Sequence, residues 1–196
     1  MMAVLVAAVS VNAQNITPEK GDLGVEIGLN PTGNDGGFRL IDNGIRLRYF
    51  LTANDALRLR VGWNMTKTDG KIVTSYNSSY GNIDLGLGYE RHWGLSDRID
   101  LYAGANAGYA MSFASYDGYH TSDNNGHTRA HQLAAGVMTG IDVYLWKGLY
   151  AGVEMGLLLT QTKEREGSIN YESYPEHTYL VGGFYCEPAL RVGWTF

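Results

Sequence analysis

The feature that most constrains this chain is the alternation of apolar and polar residues over its last ten positions, 187–196. Every second residue from Pro188 to Phe196 is apolar, and the alternate positions from 187 to 195 include a carboxylate, a guanidinium, glycine and a hydroxyl. Because successive side chains of a β-strand point to opposite faces, this pattern predicts a strand with one apolar face. That face ends in two large aromatic residues, Trp194 and Phe196.

The same period of two recurs along the chain and predicts eight strands. They cover residues 22–30, 44–51, 56–65, 82–91, 99–111, 131–145, 149–160 and 180–196. Each is about long enough to cross a membrane as a tilted strand of roughly 9 to 11 residues. No window approaches the roughly 18 consecutive apolar residues that a helical span needs. The predicted fold is therefore all-β, an eight-stranded antiparallel up-and-down transmembrane β-barrel.

The connections between the predicted strands differ in length. Three are tight, at 52–55, 92–98 and 146–148, and four are long, at 31–43, 66–81, 112–130 and 161–179. Short turns at one end and long loops at the other are typical of outer-membrane barrels. With an even number of strands, both termini are expected on the short-turn, periplasmic side.

The apolar face of these strands carries no charge, which fits two kinds of barrel. A soluble lipocalin-like barrel turns its apolar face inward, whereas a membrane barrel turns it to lipid. Aromatic residues near the strand ends favour the membrane form, because they are typical of the girdles at membrane interfaces. These residues are Tyr49, Tyr89, Trp194 and Phe196 toward the short turns, and Trp63 and Tyr109 toward the long loops.

The opposite face carries charges separated by glycines, and we expect it to line the barrel. Its charged residues are Glu26, Arg46, Arg48, Arg58, Arg60, Asp84, Glu90, Asp100, Asp142, Glu154, Glu187 and Arg191. An eight-stranded barrel is only about wide enough for its own side chains, so these groups are predicted to fill the lumen. Arginines on adjacent strands would repel one another unless acids flank them, and bidentate pairing with carboxylates satisfies both groups. The predicted lumen is a polar plug.

The N-terminal segment predicts export. Residues 1–13 form an uncharged apolar run that ends in a small-residue cleavage pattern, so they are interpreted as the remnant of a signal peptide without its basic region. Residues 14–21 are expected to be a periplasmic segment, and 22–196 the barrel. The formal net charge of −5 argues against nucleic acid as a partner, and the single cysteine excludes an internal disulfide.

Three stretches resemble the small outer-membrane β-barrel domain family of OmpA-type and OmpX-type architecture. They are Val192-Gly-Trp-Thr-Phe196, the hairpin at 51–57, and the turn at 89–97 that leads into 99–104. The resemblance implies a location in the outer membrane of a Gram-negative bacterium, among outer-membrane lipid and lipopolysaccharide. It also implies that the barrel assembly machinery reads the terminal aromatic strand during biogenesis.

The sequence leaves three functions open. The first is a non-enzymatic barrel that contributes to envelope structure or binds an extracellular ligand through tyrosine-, serine- and asparagine-rich loops. The candidate loop contacts are Tyr76, Tyr80, Tyr116, Tyr119, Tyr171 and Tyr174. The second is a narrow porin-like channel for ions or small solutes.

The third is an enzyme that modifies lipid A. His120 and Ser122 have the spacing of a histidine base and a serine nucleophile, but they fall in a glycine- and asparagine-rich stretch. His120, His127 and His131 are likewise weak candidates for a metal site, because spacing within a loop fixes no geometry. We therefore predict no catalytic residue, no metal site and no cofactor.

Overall fold

A computed structural model describes residues 17–30, 39–40, 44–71, 75–118, 126–168 and 176–196. Within these ranges the chain forms nine strands and no helix. The strands are β1 (Leu23–Asn30), β2 (Arg39–Leu40), β3 (Gly44–Thr52), β4 (Asp55–Lys71), β5 (Ser75–Ser96), β6 (Ile99–Gly118), β7 (Gly126–Trp146), β8 (Leu149–Ser168) and β9 (His177–Thr195). None of the described residues belongs to a helix that is long and apolar enough to cross a membrane.

Each strand pairs antiparallel with its neighbour, and the first strand also pairs with the last. β1 and β9 are in register from Gly24 opposite Thr195 to Leu29 opposite Leu190. Backbone hydrogen bonds of 2.9 and 3.0 Å between Leu23 and Phe196 extend this seam. β2 and β3 pair with successive stretches of β1, so they share one position in the ring. The nine strands thus occupy eight positions, and the predicted antiparallel up-and-down barrel is confirmed.

Two of the three predicted tight turns have the expected limits. Thr52 and Asp55 flank one, and Lys147 and Gly148 form another, with positive φ values of 36° and 80°. Such a pair of left-handed residues matches the twist of the flanking strands, and glycine adopts it without strain. The third prediction, 92–98, is wrong, because β5 continues to Ser96 and the turn consists of Asp97 and Arg98.

The predicted strands also need correction at the hairpin end, because β4 to β8 are longer than predicted and β9 begins earlier. The predicted loops at 66–81, 112–130 and 161–179 lie largely in strands, since the ladder continues to Lys71, Gly118 and Ser168 before each hairpin. Beyond the apolar band both faces of a strand meet water, so the hydrophobic period disappears while the backbone hydrogen bonds continue. Alternation therefore reported only the part of each strand that lies within the band.

The exterior of the barrel is an apolar band. On β7 it includes Leu133, Val137, Ile141 and Leu145, whose side chains are 39–57% exposed. At about 3.3 Å per residue and a tilt of roughly 40°, the stretch from Leu133 to Leu145 is about 30 Å tall, comparable to the apolar band of outer-membrane barrels. The buried set, by contrast, is mostly polar or charged. The apolar face therefore points outward, as the aromatic ends of the strands predict.

The predicted signal peptide remnant at 1–13 lies outside the described residues, as do residues 14–16 of the predicted periplasmic segment. The described end of that segment is attached to the barrel, because the Gly21 amide donates a 2.8 Å hydrogen bond to the carbonyl of Phe50. Residues 17–21 thus lie at the short-turn end.

Asp55 anchors the first tight turn. The hydroxyl of Thr52 donates to its carboxylate at 2.7 Å, Tyr89 donates a further hydrogen bond, and Arg91 pairs with it at 2.7 Å. These hydrogen bonds hold the pKa of Asp55 well below its ordinary value, and the one from Thr52 has the largest effect. A carboxyl group whose pKa is lowered on folding stabilises the fold above its unfolded pKa of about 3.9, and the effect is lost as pH falls through the folded pKa.

We expect Asp55→Asn to lower the urea midpoint of unfolding at pH 7 and to have a progressively smaller effect below about pH 4. The reason is that below about pH 4 the unfolded wild-type chain binds a proton at this carboxyl group while the folded state keeps it ionised, so the stabilisation shrinks as pH falls toward the folded pKa. Urea titrations of both proteins between pH 7 and pH 2 measure the difference. A difference that stays constant over this range would contradict the assignment of the lowered pKa to Asp55.

Candidate functional site: a buried charge network in the barrel

The barrel interior is filled by four arginines and four carboxylates that contact one another. They come from seven strands, because residues of one parity on each strand point inward. The members are Glu26 of β1, Arg46 and Arg48 of β3, Arg58 of β4, Glu90 of β5, Asp142 of β7, Glu154 of β8 and Arg191 of β9. Their side chains are at most 7% exposed. We call this set the charge network.

Arg48 lies at the centre of the charge network. Its Nη1 is 2.6 Å from Asp142, its Nε is 2.9 Å from Glu90, and its Nη2 is 3.6 Å from Glu26. The guanidinium therefore bridges carboxylates from three strands. Charge-assisted contacts of this kind are shorter and stronger than neutral hydrogen bonds.

Arg58 and Arg191 extend these contacts across the lumen. Arg58 lies 2.9 Å from Glu90 and 2.7 Å from Glu154. Arg191 lies 2.6 Å from Asp142 and 3.2 Å from Glu26. Every carboxylate of the charge network contacts at least two arginines, so the loss of one arginine affects several acids at once.

Aromatic side chains complete the interior. The hydroxyl groups of Tyr102 and Tyr150 donate to Glu154 at 2.7 Å and to Glu26 at 3.0 Å. The guanidinium carbon of Arg48 lies 5.0 Å from the ring centre of Tyr102 and 5.5 Å from that of Tyr150. Cation–π contacts at such distances are favourable when water is excluded. The tyrosines therefore contact both the carboxylates and the central guanidinium of the charge network.

Toward the short turns the charge network continues through His92. Its Nδ1 lies 2.8 Å from Asp100, and its Nε2 lies 3.2 Å from Glu90. Asp100 and Asp142 are directly opposite each other on β6 and β7, an unfavourable arrangement for like charges. Asp100 is turned to His92 while Asp142 is turned to two arginines, so each acid has its own partner.

Two predicted lumen residues form a separate pair nearer the long hairpins. Arg60 lies 2.9 Å from Asp84, and its side chain is 41% exposed. The predicted lumen residue Glu187 is opposite Glu154 in the β8–β9 ladder. Its side chain lies outside the described part of the structure. Between the charge network and the Arg60–Asp84 pair lies a cavity of about 200 Å³. Its lining includes Arg46, Arg58, Arg60 and Glu154.

Glycines create the space that these long side chains occupy. A Cβ added at Gly140 would overlap the ring of Tyr102, and one at Gly193 would overlap the ring of Tyr150. A Cβ at Gly152 would overlap the carboxylate of Asp142. Large inward side chains thus lie against glycines of neighbouring strands, which lets an eight-stranded barrel hold so many of them.

The predicted girdle residues are on the exterior. Tyr49, Tyr89 and Trp194 lie toward the short turns and Trp63 and Tyr109 toward the hairpins, all 37–53% exposed, and Phe196 is half-buried. Trp93 and Trp146 belong to the same exterior and were not singled out in the sequence. Trp146 packs edge-on against Trp194 with ring centres 6.0 Å apart.

The candidate loop contacts are not all in loops. Tyr76, Tyr80 and Tyr116 lie on β5 and β6, which corrects their assignment, and the side chain of Tyr80 is 45% exposed. Tyr119, Tyr171 and Tyr174 lie outside the described residues. So do His120 and Ser122, the candidate pair for catalysis.

Sequence reasoning missed His92 and the inward tyrosines, although the signal for them was present. His92 follows Glu90 by two positions, Tyr102 follows Asp100, and Tyr144 follows Asp142. Because residues two positions apart on a strand face the same side, each of the three is expected to point inward like the acid that precedes it. His92 was assigned to a turn because strand β5 was ended too early.

The fold and this interior can be compared with known proteins. A family model described as outer membrane protein beta-barrel domain matches residues 1–183. A major outer membrane protein from Thermus thermophilus is 14% identical with a TM-score of 0.53, covering 89% of this chain and 98% of that one. The outer membrane protein AlkL, solved in lipid bilayers, is also 14% identical with a TM-score of 0.53, covering 100% and 97%.

A third similar structure is the N-terminal β-barrel domain of Pseudomonas aeruginosa OprF. It is 17% identical with a TM-score of 0.40, covering 91% of this chain and 100% of that one. Among curated proteins no sequence matches this chain.

Proposed function

This chain belongs to the outer membrane protein beta-barrel domain family, and from that premise we propose that it is a non-enzymatic, non-conducting integral barrel of the envelope. It resides in the outer membrane of a Gram-negative bacterium. In this proposal the short turns and both termini face the periplasm, and the long hairpins face outward. The barrel contributes to envelope structure and offers its hairpins for contact at the cell surface.

The observation that carries the proposal is the closure of the lumen by the charge network. An ion on its way through would have to separate contacts of 2.6–2.9 Å between groups that are almost fully buried. Separating such a pair leaves charges without partners in a region of low dielectric, which is costly. In this proposal the cavity beside Arg46 and Arg58 therefore ends at the charge network and does not continue through the barrel.

A role in surface contact is supported by the hairpins. At the hairpin end β4 to β8 stay paired well past the apolar band, so their described ends extend beyond it. Tyr80 and its neighbours Ser78 and Ser79 belong to the polar part of β5, and tyrosine with serine is a composition suited to adaptable binding. The assembly machinery that recognises a terminal aromatic strand is the expected partner during biogenesis.

Single-channel recording tests the closed lumen. We expect wild-type protein in a planar bilayer in 1 M KCl to show no steady openings. The double variant Arg58→Ala/Glu154→Ala removes a whole ion pair beside the cavity and is expected to produce small, steady openings. Arg60→Ala, which truncates the outer pair, is the matched control and should stay closed. Steady openings of the wild-type protein would contradict the proposal and favour the narrow channel.

The recordings need folded protein, which gel migration with and without boiling checks for each variant. Folded membrane barrels resist detergent until they are heated, so a shift on boiling shows that the barrel has formed. A variant that lacks the shift is excluded from the comparison.

A further inference from the structure

The exterior carries a block of four basic side chains directly above the apolar band, at the hairpin end. On β7 and β8, Arg129 is opposite Arg165 and His131 is opposite Lys163. The next residue of β7 that faces the exterior, one step closer to the apolar band, is Leu133. It is 57% exposed and lies opposite Gln161. The four residues have the parity of the lipid-facing leucines, so they lie on the outer surface. We call them the basic block.

The basic block is electrostatically unfavourable by itself. Arg129 and Arg165 are like charges directly opposite each other on paired strands, an arrangement that destabilises a sheet. Among the described residues one acid contacts the block, Glu176, at 3.3 Å from Lys163 and 3.5 Å from Arg165. The side chains of Lys163 and Arg165 remain 57% and 72% exposed. One carboxylate does not balance this block, so the arrangement favours an external anion.

An apolar groove adjoins the same block. It has a volume of about 430 Å³ and lies between β6 and β7, where Met111 is opposite His131 and Phe113 is opposite Arg129. The ring of Phe113 lies against Gly81 of β5, where a Cβ would overlap it. The hydroxyl of Tyr109 and Nδ1 of His131 are hydrogen-bonded at 2.6 Å, which fixes the imidazole at the rim of the groove.

We infer that the basic block and this groove form a binding site for a phosphorylated lipid of the outer leaflet, of the lipid A type. The phosphate lies between Arg129 and Arg165, and an acyl chain lies along Met111 and Phe113. Guanidinium groups match phosphate geometry in bidentate contacts, and the boundary of the apolar band is the level at which a lipid headgroup meets its acyl chains. The site depends on the outer-membrane location and is independent of whether the lumen conducts.

The test measures retention of purified bis-phosphorylated lipid A by detergent-solubilised barrel, using native mass spectrometry. Wild-type protein is expected to keep lipid A bound, and Arg129→Gln/Arg165→Gln to need on the order of tenfold more lipid for half-saturation. Arg129→Lys/Arg165→Lys should retain most of the binding. Lys147→Gln is the matched control, because Lys147 is a cation at the opposite, short-turn end beside Trp146.

Two further measurements separate specific from general attraction. Lipid A stripped of its phosphates should bind wild-type protein no better than it binds the double glutamine variant, and binding should weaken as salt is raised. Equal half-saturation of wild type and the double glutamine variant would overturn the inference. So would a loss of binding in Lys147→Gln as large as in the double glutamine variant. A boiling shift in every variant ensures that the comparison is between folded barrels.

Discussion

Replacing Arg48 by methionine is expected to lower the free energy of unfolding by about 3–5 kcal/mol, the usual result of removing one partner from a buried ion pair. Methionine keeps much of the aliphatic volume of arginine, so the main change is the lost charge. Glu90 and Asp142, both 0% exposed, would each lose a contact of 2.6–2.9 Å. Two acids buried from solvent would then share fewer cations.

Arg60→Met is the matched control for this experiment. Arg60 is opposite Arg46, two ladder positions above the Arg48–Arg58 pair, but its side chain is 41% exposed. Exposed ion pairs contribute roughly 0–1 kcal/mol, so this variant should lose less than about 1 kcal/mol. Urea unfolding in phospholipid vesicles, followed by tryptophan fluorescence, compares the two. If both variants unfold at the same urea concentration, the charge network does not stabilise the barrel as a unit.

The sequence predicted the charged interior because two rules act on the same residues. Period two assigns a face, and the absence of charge from the other face identifies which one meets lipid. Arg48, Arg58 and Asp142 therefore have the predicted inward parity. Which acid contacts which arginine could not be predicted, because the tilt of the strands brings Asp142 of β7 to Arg48 of β3 across the lumen. Contacts of this kind depend on barrel geometry and not on neighbours in the ladder.

The limits of the strands were predicted less well, for a physical reason. Inside the membrane only one face of a strand is in contact with lipid, and the chain must alternate. At residues such as Thr66, Ser79 and Thr128 the side chains are exposed or half-exposed, and the alternation ends although the ladder continues. The same limit hid the basic block, since Arg129 and Arg165 were assigned to loops. Their direct opposition is visible only in the register.

Gly152→Ala is expected to destabilise the barrel by about 1–3 kcal/mol, the usual range for overpacking a filled interior. The added Cβ would overlap the Asp142 carboxylate and would lie 2.6 Å from the carbonyl oxygen of Ile141 and 2.8 Å from Nη2 of Arg191. The carbonyl belongs to the β7–β8 ladder and cannot move without disturbing it. The carboxylate and the guanidinium would have to separate, and their contact of 2.6 Å is among the shortest in the charge network.

Gly183→Ala separates this effect from the general cost or benefit of replacing glycine in a strand. Gly183 lies on β9 opposite Leu158, and a Cβ there would meet nothing within 4 Å. Alanine at an unhindered strand position is expected to be neutral or slightly stabilising, because it restricts the unfolded chain. The urea midpoint of Gly152→Ala should therefore fall below that of the wild type, whereas the midpoint of Gly183→Ala should stay the same or rise slightly. Equal midpoints would mean that the interior near Asp142 yields easily, and a lumen that yields there would also be a poor barrier to ions.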